Sequence, residues 1–265
     1  MNNTYNSSIK SKFSELIKQN KKAFIPYIMA GDYDLEETLK RIKILQDCGA
    51  DMIELGVPFS DPLADGPTIQ ASAERALSKG VTLRKILSFL KLNSDEIKVP
   101  VILMTYYNPI FKIGEDAFLQ EASSIGVNGL IIPDLTAEEA FSFVEKARYF
   151  NIDTIFLIAP TSTPERIKLI TSLCNGFVYY VSIVGITGSE LKLPTVFYNQ
   201  LSLIRKATDL PISVGFGISR PSEASLIAQV ADGVIVGSAI VKKFNEKSSE
   251  IKPYLKQLRE AIRSS

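Results

Sequence analysis

Three carboxylates lie close together in a segment that is rich in proline and glycine. The segment, ELGVPFSDPLADG at positions 54–66, contains Glu54, Asp61 and Asp65. The whole chain of 265 residues contains no histidine, the side chain that most often moves protons near neutral pH. Any acid–base chemistry would therefore depend on carboxyl groups, with help from tyrosine.

The first of these acids, Glu54, interrupts the apolar run DMIELGVP at positions 51–58, which is typical of a buried strand. Alternation along the strand places it on the face opposite to Ile53 and Leu55. Burial would raise the pKa of this carboxyl unless it is paired, and a raised pKa suits an acid or base that works near neutrality. A buried structural glutamate, bonded to a backbone amide or to a tyrosine, is the alternative.

The two aspartates have an equally good structural explanation. Asp61 precedes Pro62 and Asp65 precedes Gly66, and both pairs are common in turns. An aspartate in such a place can also cap the start of a helix. From the residues alone, turn formation and function stay open for both, and Glu54 is the stronger candidate for proton transfer.

Other kinds of catalytic chemistry find less support in the sequence. The predicted strands contain no lysine, which a Schiff-base mechanism would need. Cys48 and Cys174 lie far apart, without metal-ligand spacing and without a histidine to activate a thiol, so we expect two inert thiols and neither a zinc site nor a disulfide. Two carboxylates could hold Mg²⁺. If backbone amides at the glycine-rich segments 214–219 and 234–241 bind the phosphate of a ligand, however, that phosphate does not need the ion. We therefore expect no metal in this chain.

Composition and charge limit the class of protein. Apolar residues make up 46% of the chain and charged residues 22%, as in soluble globular proteins. The net charge of +1 argues against a nucleic acid or an anionic membrane as partner. No apolar run is long enough to span a membrane, and the N-terminus lacks the apolar region of a signal peptide. These features predict a cytoplasmic protein.

Short apolar runs alternate with amphipathic segments along almost the whole chain. The runs are rich in β-branched and aromatic residues and are bounded by Gly, Pro or Asp, as strands of a buried parallel sheet are. Eight such runs, alternating with helical patterns, predict a single α/β domain over residues 1–265, a (β/α)8 TIM barrel with an extra N-terminal helix at 7–20. The runs lie at 23–31, 51–58, 99–107, 129–135, 153–160, 177–185, 211–217 and 233–241, and helical patterns lie at 35–50, 114–126, 136–150, 162–176 and 220–233.

An open, doubly wound sheet is the structural alternative. It would normally carry a glycine-rich GxGxxG turn after its first strand, where this chain has GDYDLEE. The barrel is therefore the favoured prediction, and in a barrel the functional groups lie at the carboxyl ends of the strands. That rule adds Asp32 and Asp134 to the candidates, because each lies at the end of a predicted strand.

Two of the predicted strands end in glycines that lead into helices, in VGFGIS at 214–219 and VIVGSAIV at 234–241. Glycine lets backbone amides approach a ligand, and the N-terminus of a helix attracts anions. Together with the loop VGITGSE at 184–190, these ends predict a site for a phosphorylated substrate. The alternative is that the glycines only form the tight turns that every barrel needs.

The segment with the three carboxylates, ELGVPFSDPLADGPTIQ at positions 54–70, closely resembles the signature of the tryptophan synthase α chain family. The resemblance continues through FIPYIMAGD, MTYYNPIF, IIPDL, LIAPTSTPERI, VGITG, VGFGIS and VGSAIV, which span nearly the whole chain. It implies a lyase that cleaves indole-3-glycerol phosphate to indole and glyceraldehyde 3-phosphate by a retro-aldol reaction, in the last stage of L-tryptophan biosynthesis.

The resemblance also implies roles for individual residues. Glu54 would be the acid and base of the reaction, and Asp65 would bind and polarise the indole N–H. The phosphate contacts would come from Gly188, Gly217, Gly237 and Ser238, and the indole pocket would be lined by Tyr27, Met104, Tyr106, Ile158 and Tyr179.

The family forms an α₂β₂ complex, and this implies a partner for the chain. The β chain carries pyridoxal phosphate and receives the indole, so no cofactor is expected in this chain. By resemblance, Pro58 and Asp61 lie at the interface, and the loop 185–195 is a lid in which Thr187 closes against Asp65. The alternative from another class is an α subunit with little or no turnover that acts mainly as an activator of the β subunit.

Overall fold

The strands of the protein form one parallel sheet. A computed structural model of the chain describes residues 7–181, 193–215, 217–246 and 249–263. Nine strands occur in this part of the chain: β1 Ala23–Met29, β2 Ile53–Gly56, β3 Val101–Met104, β4 Val127–Ile131, β5 Asp153–Ile155, β6 Leu157–Ile158, β7 Val178–Val181, β8 Ile212–Gly215 and β9 Gly233–Val236. Each hydrogen-bonded pair of neighbours runs parallel.

The sheet closes into a barrel. Its strand order is β5-β4-β3-β2-β1-β9-β8-β7-β6, so β5 and β6 lie at the two ends of the order. Only Phe156 separates β5 from β6 in the chain, and the carbonyl of Phe156 accepts a hydrogen bond of 3.2 Å from the amide of Tyr179 on β7. The fifth predicted strand is thus divided into β5 and β6 by a break at Phe156. Because β5 pairs with β4 and β6 pairs with β7, this strand joins the two ends of the sheet. The predicted TIM barrel is confirmed, and the open sheet is excluded.

Helices follow the strands and cover the outside of the barrel. The described part of the chain contains α1 Ser8–Lys18, α2 Leu35–Asp47, α3 Pro67–Ser78, α4 Leu83–Leu92, α5 Tyr107–Ile113, α6 Glu115–Ser124, α7 Phe141–Tyr149, α8 Pro164–Leu173, α9 Thr195–Ala207, α10 Pro221–Ala228, α11 Ser238–Asn245 and α12 Ile251–Arg263. One predicted helix, 136–150, begins later than expected. A turn precedes it, in which the amide of Glu139 donates to the carbonyl of Thr136 and the Thr136 hydroxyl donates to the Glu139 carboxylate.

The N-terminal helix α1 closes one end of the barrel, as predicted. Its buried residues Ile9, Phe13 and Leu16 belong to the same apolar cluster as the lumen residues Met52 and Phe177. Ser7 caps the helix by accepting a hydrogen bond from the amide of Lys10, and its hydroxyl also donates to Asp153 at the start of β5. With the N-terminal end filled, the opposite end is the place where a ligand could enter.

Alternation along the strands separates a lumen face from an outer face. Side chains such as Ile25, Ile102 and Ile235 pack together inside the barrel, whereas Ile28 and Val234 belong to the larger cluster between the sheet and the helices. Because successive side chains alternate between the two faces, Glu54 on β2 lies on the lumen side, two residues after the lumen residue Met52. The Glu54 carboxylate is inside the barrel because of this alternation.

Asp32 and Asp134 turn out to be structural. Asp134 accepts hydrogen bonds of 2.9 and 3.2 Å from the amide of Tyr107, at the start of α5. Asp32 is fully buried and lies 3.1 Å from Nη1 of Arg41 and 2.7 Å from Nε of Arg75. Since Arg41 is on α2 and Arg75 on α3, the ion pairs fix two helices to the end of β1. Neither aspartate lines the cavity described below.

Replacing Asp32 with Asn should destabilise the fold strongly. The Arg41 side chain is 2% exposed, and its guanidinium would lose its nearest counter-charge in a buried place. Removing one partner of a buried pair costs roughly 3–5 kcal/mol of unfolding free energy, measurable by urea denaturation. Glu138→Gln, which removes an exposed pair with Arg166, is the control and should change stability little. Equal effects of the two substitutions would contradict this interpretation.

Candidate active site

A cavity of about 360 Å³ opens at the carboxyl ends of the strands. It is the place where barrels carry their functional groups. Residues from strands on opposite sides of the barrel line it: Tyr27, Glu54, Ala64, Asp65, Gly66, Thr68, Ile69, Met104, Leu157, Tyr179, Gly217, Ile218, Ser219, Ile235, Gly237, Ser238, Ala239 and Lys242. Glu54 and Asp65 therefore meet in one cavity with two of the glycines singled out in the sequence, Gly217 and Gly237.

Glu54 lies at the bottom of this cavity with almost no contact with solvent. It is 2% exposed, and its Oε2 atom is buried without a hydrogen-bond partner among the described residues. The structural alternative, a glutamate whose carboxylate is satisfied by an amide or a tyrosine, does not fit an unpartnered oxygen. Burial, with a smaller effect of the Asp65 charge, raises the pKa of Glu54 to about 8.

Asp65 faces the same cavity from the loop between β2 and α3. Its amide donates to the carbonyl of Pro62 at 3.2 Å, and its carbonyl accepts from Gln70 at 2.8 Å, so the main chain forms the turn that the sequence suggested. The carboxylate is nevertheless in the cavity lining, and partial burial raises its pKa to about 6. Asp65 therefore forms a turn and also supplies a carboxylate to the site.

The two carboxyl groups differ in protonation near neutral pH. With a pKa of about 8, Glu54 is mostly protonated at pH 7, whereas Asp65, with a pKa of about 6, is mostly ionised. Two acids whose environments separate their pKa values can divide the roles of proton donor and stabilising anion. The site can therefore protonate one atom of a ligand while it stabilises positive charge on another.

Tyr27 joins the acidic end of the cavity to its glycine-rich end. β1 lies between β2 and β9 in the barrel, and Tyr27 is paired in register with Glu54. A methyl group at Gly56 would overlap the Tyr27 hydroxyl oxygen, and one at Gly237 would lie 3.5 Å from the Tyr27 Cβ. The ring thus spans the cavity floor between the two ends. Burial raises the pKa of Tyr27 far above its usual value, with smaller effects of the Asp65 and Glu54 charges, so the phenol stays neutral.

Tyr179 occupies a matching position on β7. A methyl group at Gly215 would overlap its hydroxyl oxygen, so the lumen-facing glycine makes room for the ring. Burial, with a smaller effect of Glu54, also raises the pKa of this tyrosine far above its usual value. Tyr27, Tyr179 and Met104, which the family resemblance placed around the indole, all line the cavity.

Two of the residues expected around the indole, Ile158 and Tyr106, are not among the residues that line the cavity. Ile158 is fully buried and packs in the outer cluster, whereas its neighbour Leu157 points into the lumen and lines the cavity. Alternation along the strand accounts for this, because Ile155 and Leu157 are on the lumen side whereas Phe156 and Ile158 are on the outer side. Tyr106 lies beside the cavity: its ring stacks on Phe59 with centroids 4.8 Å apart, and its hydroxyl accepts a 3.0 Å hydrogen bond from the amide of Ala64, which lines the cavity. Tyr106 thus holds the loop that carries Asp65.

The glycine-rich end of the cavity is formed by Gly217, Gly237 and Ser238. Gly217 has a φ of +75°, which favours glycine, and Gly237 lies immediately before α11. The hydrogen bonds of α11 begin at the amide of Ile240, which donates to Gly237, so the preceding amides of the helix N-terminus are directed toward the cavity end. An anion fits this place.

Helix α10 was also expected to offer its N-terminal amides to an anion, but amides at its start already donate hydrogen bonds to a side chain of the protein. The Glu223 carboxylate accepts hydrogen bonds from the amides of Ser219 at 2.7 Å and Arg220 at 3.0 Å, and Pro221 has no amide hydrogen. The N-terminus of α10 is therefore capped from within. The sequence could have shown this, because a glutamate three residues after a helix cap is a known capping pattern.

A cation at the mouth of the cavity was missed in the sequence. Lys242, on α11, lies in the lining one turn after Ser238. The positions i and i+4 of a helix share a face, so this lysine could have been found once Ser238 was taken as a helix start. Apolar contacts from Ile69, Ile218 and Ile235 were also not foreseen.

Comparison with known proteins gives a consistent result. A sequence model described as "Tryptophan synthase alpha chain" matches residues 13–264. The chain belongs to this family. It is 50% identical over 240 residues to the tryptophan synthase alpha chain of Geotalea uraniireducens (strain Rf4), covering 91% of this chain and 90% of the relative. It is 47% identical over 262 residues to that of Picosynechococcus sp. (strain ATCC 27264 / PCC 7002 / PR-6), covering 97% and 99%.

Solved structures of the family show the same fold. A chain of tryptophan synthase from M. tuberculosis, in the aminoacrylate-bound form, superposes with a TM-score of 0.88 at 34% identity, covering 97% of this chain and 100% of that one. Tryptophan synthase subunit alpha from Legionella pneumophila str. Paris gives a TM-score of 0.88 at 37% identity, covering 97% and 98%.

Membership in the tryptophan synthase alpha chain family places the protein among lyases and in tryptophan biosynthesis. In this family the α chain carries no pyridoxal phosphate, which belongs to the β chain. Among the described residues, no group of three or more acidic or cysteine side chains could hold a metal ion. In the same part of the chain, no helix is both long and apolar enough to cross a membrane.

The remaining predicted site residues lie outside the cavity or outside the described part of the chain. Gly188 and Thr187, and most of the proposed lid 185–195, belong to the residues that the structure does not describe. Asp61 is exposed, whereas Pro58 is buried within the chain itself. Cys48 and Cys174 are free and buried, and burial raises the pKa of the Cys174 thiol to about 12, which makes it a poor nucleophile.

The raised pKa of Glu54 should cost stability at high pH. The folded protein keeps the Glu54 proton up to about pH 8, whereas the unfolded chain releases it near 4.5, so stability falls as pH rises between these values. Glu54→Gln removes the penalty and should stabilise the fold at pH 9 by roughly 3–5 kcal/mol, with no such gain at pH 4. Denaturation with urea at both pH values measures the difference, and a gain that does not depend on pH would contradict a raised pKa.

Proposed function

We propose that this chain cleaves indole-3-glycerol phosphate to indole and glyceraldehyde 3-phosphate, with Glu54 as acid and base and Asp65 as the partner of the indole N–H. One observation carries the proposal most directly. Two carboxyl groups with separated pKa values, about 8 and about 6, share one cavity whose opposite end is the N-terminus of a helix. A substrate with a ring to protonate and a phosphate to bind matches both ends.

The first step is protonation of the ring. The neutral carboxyl of Glu54 gives its proton to the indole carbon that bears the glycerol phosphate chain, and the ring becomes a cationic indolenine. The ionised Asp65 carboxylate accepts a hydrogen bond from the ring N–H, where the positive charge develops. In a cavity with little water, such a fixed charge stabilises the cation more than it would in solution.

The second step breaks the bond between the ring and the glycerol chain. The bonding electron pair returns to the ring and restores the aromatic indole, while the adjacent chain carbon becomes the aldehyde carbon. The proton of the hydroxyl on that carbon passes to the Glu54 carboxylate, which recovers the proton that it gave in the first step. One residue thus serves as acid and then as base, and a pKa near neutrality suits both tasks.

The phosphate binds at the glycine-rich end, against the first amides of α11. Its two negative charges are favoured at the positive end of the helix dipole, and Gly237 leaves room for a close approach. Fixing the phosphate places the opposite end of the substrate at the carboxylates. Binding energy from the part of the molecule that does not react then orients the part that does.

A β chain is the proposed partner, as the family implies. Several large apolar side chains are exposed near the cavity end of the barrel: Leu63 is 91% exposed, Phe111 67% and Phe141 52%. Leu63 lies in the Asp65 loop beside the exposed Asp61, and this loop packs on Tyr106 in front of α5. A partner that covers these side chains would also cover the cavity. Two buried free thiols are consistent with a reducing compartment, so we place the complex in the cytoplasm.

Indole release from indole-3-glycerol phosphate, with and without an added β chain, tests the proposed reaction. Glu54→Gln should lower kcat by about 10²–10⁴-fold, because the acid and base is lost. Asp65→Asn should lower kcat by about 10²–10³-fold, because the ring cation loses its counter-charge. The controls, Glu36→Gln and Asp95→Asn, lie on exposed positions and should keep full activity.

The pH profile of the same reaction tests whether Asp65 acts in its ionised form and Glu54 in its protonated form. kcat/KM should rise as Asp65 ionises near pH 6 and fall as Glu54 loses its proton near pH 8. Asp65→Asn should remove the rise, and the fall should move to lower pH because the Asp65 charge helps to raise the pKa of Glu54. If Glu54→Gln kept the native rate, the acid–base assignment would be wrong. Indole release that occurs in no variant and under no condition would favour a subunit that only activates its partner.

The phosphate site can be tested separately from the chemistry. Gly237→Asp places a negative charge at the N-terminus of α11, and Gly237 has a negative φ and no atom closer than 3.5 Å to a new Cβ, so the fold should tolerate it. Inorganic phosphate should raise the melting temperature of the native chain and have little effect on this variant. Ser88→Asp, on the exposed face of α4, adds the same charge elsewhere and should keep the protection. Equal protection of all three proteins would contradict the assignment.

A further inference from the structure

Lys242 is the cationic side chain of the cavity lining. Among the described lining residues, the charged side chains are Glu54, Asp65 and Lys242. The two carboxylates lie at the acidic end, and Lys242 lies on α11, whose first residue, Ser238, forms the other end. Charges of opposite sign therefore occupy opposite ends of the same cavity.

The position of Lys242 on α11 puts the proposed phosphate within reach of its side chain. Ser238 and Lys242 are four residues apart and Ala239 and Lys242 are three apart, so all three share one face of α11. Side chains of an α-helix lean toward its N-terminus, and the long lysine chain lets the ammonium group reach the first turn. The buried residues of this helix, Ile240, Val241 and Phe244, fix it against the barrel by another face.

The charge balance of the site favours a cation here. A phosphorylated substrate brings two negative charges into a cavity whose two acidic side chains already include the ionised Asp65. Amides of one helix end supply only about half a positive charge. An ammonium group at the mouth offsets the repulsion between the incoming phosphate and the carboxylates, and it does so without entering the part of the cavity that holds the ring.

We propose that Lys242 is a substrate-binding residue that contacts the phosphate dianion together with the first amides of α11. This role rests on the proposed function, because it assigns the phosphate of that substrate to a named side chain. Lys242 has no part in the proton transfers, so its removal weakens binding and leaves the chemical step intact.

The present partner of Lys242 does not prevent this role. Its Nζ atom lies 3.9 Å from Oε1 of Glu246, and the two side chains are 71% and 52% exposed. An exposed pair at this distance contributes little to stability, so the ammonium group can exchange Glu246 for a phosphate with a higher charge.

A matched pair of neighbouring lysines provides the test. Lys243 follows Lys242 on the same helix, but it lies over the ring of Tyr254 at 4.9 Å and does not line the cavity. Lys242→Met and Lys243→Met each remove one positive charge and keep an unbranched side chain. Lys242→Arg keeps the charge, and its planar group can also bind phosphate.

The first measurement is the affinity for inorganic phosphate, by calorimetry or by thermal protection. Lys242→Met should weaken binding about tenfold, as the loss of one charged hydrogen bond does. Lys243→Met should bind like the native chain, and Lys242→Arg should recover most of the affinity. Added potassium chloride should weaken phosphate binding more in the native chain than in Lys242→Met, because the screened contact is absent from the variant.

The second measurement is the indole-release reaction with the complete complex. Lys242→Met should raise KM about tenfold with kcat nearly unchanged, since a contact made equally in the ground state and the transition state affects KM alone. Unchanged phosphate affinity in Lys242→Met, or an equal loss in Lys243→Met, would overturn the proposal. If the native complex released no indole, the proposed function would fail, and the phosphate measurement would still decide the role of Lys242.

Discussion

The site depends on the burial of one carboxyl group in the lumen of a packed barrel. Glu54 is 2% exposed, and one of its oxygens has no hydrogen-bond partner among the described residues. Ionising a carboxyl group in such a place costs free energy, and the group keeps its proton up to about pH 8 instead. A side chain that would ordinarily be an anion thus becomes a neutral acid at the pH of the cell, in a chain without histidine.

The rest of the architecture supports this arrangement. Helix α1 fills the opposite end of the lumen, so water reaches Glu54 only from the cavity side. Tyr106 holds the loop of Asp65 through the amide of Ala64, and the Asp32 ion pairs anchor α3, the helix that follows this loop. Tyr27 lies between the acidic strand β2 and helix α11, so one aromatic ring lies between the two ends of the cavity.

Much of this could be predicted from the sequence because the chain repeats one pattern. The eight apolar runs predicted a closed parallel barrel, and the alternation along β2 predicted that Glu54 lies on the face opposite to Ile53 and Leu55. The break in pairing at Phe156 could not be predicted, since a run of apolar residues does not show where pairing stops. That Leu157 rather than Ile158 faces the cavity follows instead from alternation, because Ile155 is on the lumen side. The capping of α10 by Glu223 and the position of Lys242 depend on where helices begin, which the sequence gives only to within a few residues. Asp65 could not be separated from a turn residue by its type, because it forms the turn and lines the cavity.

The claim that burial keeps Glu54 protonated can be tested most directly by observing the carboxyl group itself. Carbon-13 NMR of the side-chain carboxyl groups, recorded on the native chain between pH 4 and 10, follows each titration, and spectra of Glu54→Gln and Asp65→Asn assign the two signals. We expect the Glu54 signal to change near pH 8 and the Asp65 signal near pH 6. A Glu54 signal that changes near pH 4.5, the ordinary value for glutamate, would contradict it.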